Sequence, residues 1–271
     1  CDYSGNALIT ATTAVLIILG GLGYIVWWDA ARVIKSRRQN GGRFFKSLTL
    51  HSKIVLISTA VLLITGTGLT LFFEYNNPLT IANLPLGEKI QASFFQSVTT
   101  RTAGFAGVPQ EDLTNPTAIL SLLLMFIGGS PVGTAGGIKT VTAAVLLSIT
   151  VSMIGGKTSV SLFGRTISKQ AVYKAVAVAV MSFSVILVST LLVSAVTDAP
   201  ALDILYETVS ATATVGLSRG LTGTLNNVGK IIIILTMYFG RVGPISMAIA
   251  FGGKNPSRNI IKNPTEEISI G

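Results

Sequence analysis

Cysteine and histidine are almost missing from this chain, with one of each in 271 residues. Cys1 has no second cysteine for an internal disulfide, and no Cys/His cluster exists to hold a metal. His51 lies in a basic stretch and reads as solvated or headgroup-facing rather than catalytic. No nucleophile, base and orienting group stand at workable spacing, which argues against an enzyme. Charge is scarce as well: charged residues make up 11% of the sequence, where a soluble domain carries about a quarter. The uncharged stretches are long, running from Tyr3 to Trp28, Ile54 to Phe73, Leu113 to Ile138 and Ala175 to Thr197. A helix crosses a bilayer with roughly 20 apolar residues, so each is read as a span. A fifth, from about Val228 to Phe251, contains Arg241. An initiator methionine and a charged leader are also missing. The opening Cys1-Asp-Tyr-Ser-Gly-Asn6, a polar loop running into a span, reads as the start of an N-terminally incomplete chain.

The charge that is present is uneven. The net charge is +9. Arg32, Lys35, Arg37, Arg38, Arg43, Lys46 and Lys53 lie between the first two spans; Lys157, Arg165, Lys169 and Lys174 follow the third; Lys254, Arg258 and Lys262 lie in the tail. By the positive-inside rule these sides face the cytoplasm. The opposite connections carry Glu74, Glu88, Glu111, Asp112, Asp198, Asp203 and Glu207 and face outward. Nucleic acid is a poor partner for this charge, because the basic residues are divided among three loops without interleaved aromatics.

Two segments on the outer side repeat one pattern: Phe95-Gln-Ser-Val-Thr-Thr-Arg-Thr-Ala-Gly-Phe105 and Tyr206-Glu-Thr-Val-Ser-Ala-Thr-Ala-Thr-Val-Gly-Leu217. Each lies between apolar spans, giving a unit of span, outer re-entrant segment, span. A stretch such as Ile90 to Thr100 is half the length of a span, so it enters as a short helix and returns as irregular chain. Irregular backbone survives at membrane depth only where protein or water surrounds it. The C-terminal end of such a descending helix carries partial negative charge favourable to a cation. Chain climbing back through Thr102, Ala103, Gly104 and Phe105, or through Thr214, Val215, Gly216 and Leu217, would line a pore with carbonyls that replace a cation's hydration shell. Glycine reaches the backbone angles this requires. The closing spans repeat too, since Ile18-Leu-Gly-Gly-Leu-Gly23 lines up with Ile127-Gly-Gly-Ser-Pro131 and Phe239-Gly-Arg-Val-Gly-Pro244. Gly128, Gly129, Ser130, Pro131, Gly133, Thr134, Gly136 and Gly137 form a run that breaks a helix, at about 1 kcal/mol per glycine and about 3 per proline. A packing kink explains one or two of these glycines, and the whole run predicts an intramembrane loop.

Arg101-Thr-Ala-Gly-Phe105, Ala213-Thr-Val-Gly-Leu-Ser218, the run Gly128 to Thr140, Phe239-Gly-Arg-Val-Gly-Pro244 and the tail Pro264-Thr-Glu-Glu-Ile-Ser-Ile-Gly271 resemble the Trk/Ktr/HKT potassium transporter superfamily, specifically the membrane subunit of the bacterial Ktr type. The resemblance implies an all-α membrane protein of span–pore loop–span units around a central pore, four in the family and about two and a half here. Residues 1–52 would hold the closing span of the second repeat and a basic cytoplasmic loop; 53–170 the third repeat with its pore loop and gate loop; 171–271 the fourth repeat and the tail. It implies potassium uptake through the two Thr-x-Gly filters, gated by the Gly-rich loop with Arg241 beneath the filter, in a multi-pass protein of the bacterial plasma membrane. Arg241 is expected in mid-membrane, some ten residues from either end of its span, holding the loop through carbonyls. Lys139 is expected to reach the cytoplasmic vestibule or mark the inner boundary, Lys230 to anchor at an interface, and Arg101 to lie behind the filter wall with Glu207 as a conceivable partner. The family's membrane subunits form homodimers on a cytosolic nucleotide-binding ring, so nucleotide belongs to that partner and this chain carries no cofactor. A sodium-selective pore and a non-conducting scaffold are the alternatives.

Overall fold

A computed structural model describes residues 6–36, 44–133, 135–156 and 159–243. Arg37, Arg38, Arg43, Lys157, Thr134 of the Gly-rich run, Pro244 and everything from there to Gly271 lie outside the described residues.

Helix α1 (Ala7–Gly21) starts where Asn6 Oδ1 accepts the amides of Leu8 and Ile9 at 3.1 and 3.2 Å, satisfying donors that the first turn leaves free. It stops at Gly20-Gly21, and α2 (Tyr24–Lys35) leaves at 89°. The stretch Ala7 to Trp28, expected as one span, is therefore two helices. Gly23 makes the corner with φ +76°, and a Cβ there would lie 2.6 Å from the Pro131 carbonyl oxygen. Beyond the short α3 (Phe44–Ser47), α4 (Leu50–Glu74) runs 25 residues, about 37 Å at 1.5 Å per residue. Asp29 of α2 fixes its start, accepting from Thr49 N and Oγ1 at 2.8 Å each. Glu74, 1% exposed, closes its far end by accepting from Asn77, Thr80 and the amide and hydroxyl of Thr114. His51, expected to be solvated or facing headgroups, is part-buried, with its Nε2 buried and without a hydrogen-bond partner among the described residues.

The chain then turns into the short α5 (Leu86–Thr99), followed by α6 (Asn115–Phe126), with Pro116 at its start, and α7 (Thr140–Ile154). Among the described residues no helix lies between Phe126 and Thr140. The basic connection that follows contains a hairpin, β1 (Ser161–Leu162) against β2 (Arg165–Thr166), the one pair of strands among the described residues. Helix α8 (Lys169–Ser194) is 26 residues long; α9 (Ala201–Thr212) is short like α5; α10 (Leu221–Thr224) and α11 (Asn227–Val242) complete the fold.

Only α4 and α8 are single helices long and apolar enough to cross a bilayer among the described residues, and the bent pair α1–α2 adds a broken span. Both long helices start beside lysines and end on the acidic side. Large apolar side chains such as Phe72, Phe183 and Leu191 stay exposed on them, which fits helices bathed in lipid. The interior is built around the short helices. Ala14 of α1 packs with Phe95 and Val98 of α5; Ala118, Leu122 and Met125 of α6 pack with Tyr206 and Val209 of α9. In both cases a helix supports a short helix further along the chain.

Candidate ion pathway

α5 and α9 both end deep in the protein and hand over to chain that climbs back. Thr99 to Arg101 and Val209 to Ala213 are buried. Just past each end a threonine adopts a left-handed backbone, Thr102 at φ +68° and Thr214 at φ +53°, and two residues on a glycine does the same, Gly104 at +79° and Gly216 at +96°. A β-branched residue at positive φ is a true outlier, and two at matching places mark a built feature rather than an accident of one turn.

The hydroxyls at the helix ends hold the returning chain. Thr99 Oγ1 accepts from Phe105 N at 2.7 Å and donates to Phe105 O at 2.8 Å, while Ser210 Oγ accepts from Gly216 N at 3.2 Å. The amides of Ala103 and Gly104 return to Thr99 O, and that of Val215 to Ser210 O. Donors are thus drawn toward the helix, and the carbonyls of Thr102, Ala103, Gly104, Thr214, Val215 and Gly216 accept no hydrogen bond from the described residues. Carbonyls without donors among the described residues, at the negative end of two helices, are an arrangement that favours a cation.

The two segments touch. A Cβ on Gly104 would lie 2.2 Å from the Val215 carbonyl oxygen and 3.2 Å from Gly216 Cα. The flanking residues differ: Phe105 is 57% exposed, whereas Leu217 is 2% exposed in the α6–α9 core.

Gly128 to Gly137 lie against the base of both segments. Cβ atoms built on Gly128 and Gly136 would meet Thr102 Cγ2 at 3.3 Å and Thr214 Oγ1 at 2.1 Å. The loop closes on itself, with Ile138 N bonded to Phe126 O and Thr140 N to Gly129 O, both at 3.0 Å, and Ser130 N reaches Gly21 O at 2.9 Å. Ser130 is fully buried, whereas Val132, at φ +61°, is 45% exposed. Gly129, Pro131 and Gly133 lie along the α1–α2 corner, where the Cβ positions of the two glycines approach the carbonyls of Gly20 and Gly21. Lys139 Nζ donates to Ala135 O, folding back onto the loop.

Arg241 is not in the middle of a helix. The described helix ends at Val242 with Gly243 at φ +88°, and Arg241 is an exposed residue in its last turn, close enough to Lys139 for their charges to interact. Gly240 beside it packs under α9, where a Cβ would lie 2.0 Å from Thr212 O. Lys230 is exposed in the first turn of α11. Arg101 does not meet Glu207. It points to Thr59 and Gly128. Glu207 instead accepts from Ser218 Oγ and, at 2.9 Å, from Thr222 Oγ1, bracing the exit of its own segment. Gln96, the matching residue in the first segment, braces its exit through Gln110 at 2.8 Å.

Sequence reasoning missed the residues that tie the two segments together on the outer side. Arg219 Nε pairs with Asp203 at 2.7 Å, and the same guanidinium donates to the carbonyls of Gln110 and Glu111 at 2.8 and 3.2 Å. Tyr206 Oη donates to Gln110 Oε1 at 2.8 Å. A signal was available: Arg219 is an arginine in a connection whose acidic residues led to the expectation that it faces outward, against the orientation rule, and so in need of a specific partner.

The model of the TrkH family, described as cation transport protein, matches residues 2–263. The Ktr system potassium uptake protein B of Bacillus subtilis (strain 168) is 36% identical over 270 residues, covering 100% of this chain and 58% of that protein. The potassium/sodium uptake protein NtpJ of Enterococcus hirae is 38% identical over 271 residues, covering 98% of this chain and 58% of its own length. The crystal structure of the potassium transporter TrkH from Vibrio parahaemolyticus superposes with a TM-score of 0.70 at 17% identity over 92% of this chain and 52% of that one, a likeness of fold. The chain thus spans a little over half the length of these relatives.

Proposed function

The chain belongs to the TrkH family of cation transport proteins, and from that premise we propose that it supplies part of a pore through which a monovalent cation, potassium foremost, enters the cell. The family is one of integral plasma-membrane transporters and not of enzymes. One observation carries the reading: the paired left-handed Thr-x-Gly turns, in backbone contact, whose carbonyls lack donors among the described residues. A cation that sheds water there exchanges hydration oxygens for carbonyl oxygens, and the C-terminal ends of α5 and α9 favour its charge. Gly104 and Gly216 are too close for an ion to pass between them. The path therefore runs along the open carbonyl faces, with further segments completing the wall.

The loop between Phe126 and Thr140 serves as the gate, because it lies under both turns and leaves the path only by moving. Arg241 adds positive charge below it. Sodium is a second reading, favoured by the potassium/sodium name of the Enterococcus hirae relative. A homodimer and a cytosolic nucleotide-binding ring are the partners extended to this chain from the resemblance. Rubidium influx into proteoliposomes holding the full-length parent tests the core of the reading. Gly216→Ser is expected to abolish selective influx while the protein stays folded; unchanged influx in that variant would overturn the filter assignment and favour a scaffold.

A further inference from the structure

Arg101 is a buried cation for which the pathway above has no use. It is 8% exposed, at the end of α5 immediately before Thr102. A guanidinium has five N–H donors, yet here Nη2 makes two long contacts, 3.5 Å to Thr59 Oγ1 on α4 and 3.5 Å to the Gly128 carbonyl, while Nε is buried without a partner. Among the described residues no carboxylate forms an ion pair with it. A cation out of water without an acid is costly, so its place calls for a reason. Its surroundings supply one: a small void bounded by Arg101, Leu63, Gly21 and Gly129 lies between the end of α5, the α1–α2 corner and the start of the loop. The loop is held there from two sides, by Arg101 on Gly128 O and by Ser130 N on Gly21 O at 2.9 Å.

We propose that Arg101 is a positioning residue for the intramembrane loop, whose guanidinium holds the Gly128 carbonyl beneath the Thr102 turn, so that loop movement requires this contact to break. Charge suits the task, because attraction between a cation and a carbonyl dipole persists at distances where a neutral hydrogen bond has failed. The spare donors and the adjoining void let the guanidinium follow the loop to a second arrangement. The inference rests on the gate reading above, and its test separates the two.

A full-length, cysteine-free parent carrying Ser130→Cys is reconstituted, and reaction of the introduced thiol with a cytoplasmic-side reagent is timed alongside rubidium and sodium influx. Arg101→Met is expected to raise the thiol reaction rate about tenfold, a usual size for coupling between two sites, and to raise rubidium influx without the regulatory partner at an unaltered rubidium-to-sodium ratio. Arg101→Lys, which keeps the charge, stays near the parent. Equal thiol rates in the parent and Arg101→Met, or a lost ion ratio without a change in thiol rate, overturn the proposal. If Arg101→Met does not fold, Arg101→Gln decides on the same rates. A parent that carries no rubidium defeats the transport reading, while the thiol comparison still settles the role of Arg101.

Discussion

Gly104 and Gly216 hold matching places for different reasons. At Gly104 both space and backbone exclude a side chain, since its Cβ would lie 2.2 Å from Val215 O and φ is +79°. At Gly216 only the backbone does: φ is +96°, but a Cβ meets nothing nearer than Gly104 Cα at 3.8 Å. An L-residue held left-handed costs about 1–2 kcal/mol, whereas overlap with a backbone oxygen has to be relieved by moving one segment off the other. Gly104→Ala is therefore expected to lower the yield of monodisperse protein as well as influx, and Gly216→Ala to lower influx with the yield kept. Size-exclusion profiles measured beside rubidium uptake check this, and equal yields for the two variants would contradict the steric account. Thr102 and Thr214 carry strain of the same kind, about 1–3 kcal/mol each, concentrated where the candidate pathway bends.

Between elements, the firmest tie across the two segments is Arg219. It links the exit of the second turn to Asp203 at the start of α9 and to the carbonyls of Gln110 and Glu111 beyond the first. The Arg219 side chain is 10% exposed and that of Asp203 25%, so screening by water weakens the ion pair only in part. Arg219→Ala is expected to destabilise the protein more than Asp203→Ala does, because it also strands the carbonyls of the first exit loop. A double-mutant cycle on thermal unfolding in detergent should give a coupling of about 0.5–3 kcal/mol. A coupling of zero, or a larger loss from Asp203→Ala, would show that the clamp is not what joins these loops.

Across the whole molecule, two seams do equivalent work, α1 on α5 and α6 on α9, and each ties one outer segment into its own core. Met125 lies in the second seam with no exposed surface, among Ala118, Leu122, Tyr206 and Val209. Met125→Ala should cost about 2–5 kcal/mol, the usual result of emptying a packed site, and it should loosen the turn at Thr214 before the one at Thr102, because Val215 and Leu217 belong to the same cluster and no residue of the first segment does. Thermal unfolding of the parent and the variant checks the size of the loss. A drop well under 1 kcal/mol would mean that the lipid-facing helices, rather than this seam, hold the repeats in place.

The long helices α4 and α8 and the likeness of the two short segments after α5 and α9 were legible in the sequence, because each depends on neighbours along the chain: roughly 20 apolar residues in a row, or hydroxyls and glycine after an aromatic. The break between Phe126 and Thr140 has the same local cause, a glycine density that no helix tolerates. Tertiary packing decided the rest. The 89° corner at Gly23 depends on a loop more than a hundred residues away that fills its inner side. The backbone contact of Gly104 with Gly216, the reach of Arg219 to Gln110 and the turn of Arg101 toward Gly128 rather than Glu207 each join residues from separate connections between helices. Arg241 stands in a last turn because Gly243 ends the described helix, although the apolar run continues past it. The sequence by itself determined the long apolar helices α4 and α8 and the break between Phe126 and Thr140, since propensity and composition act on each segment alone. Only the tertiary structure decided which broken ends meet, since that follows from the shapes of surfaces that lie far apart along the chain.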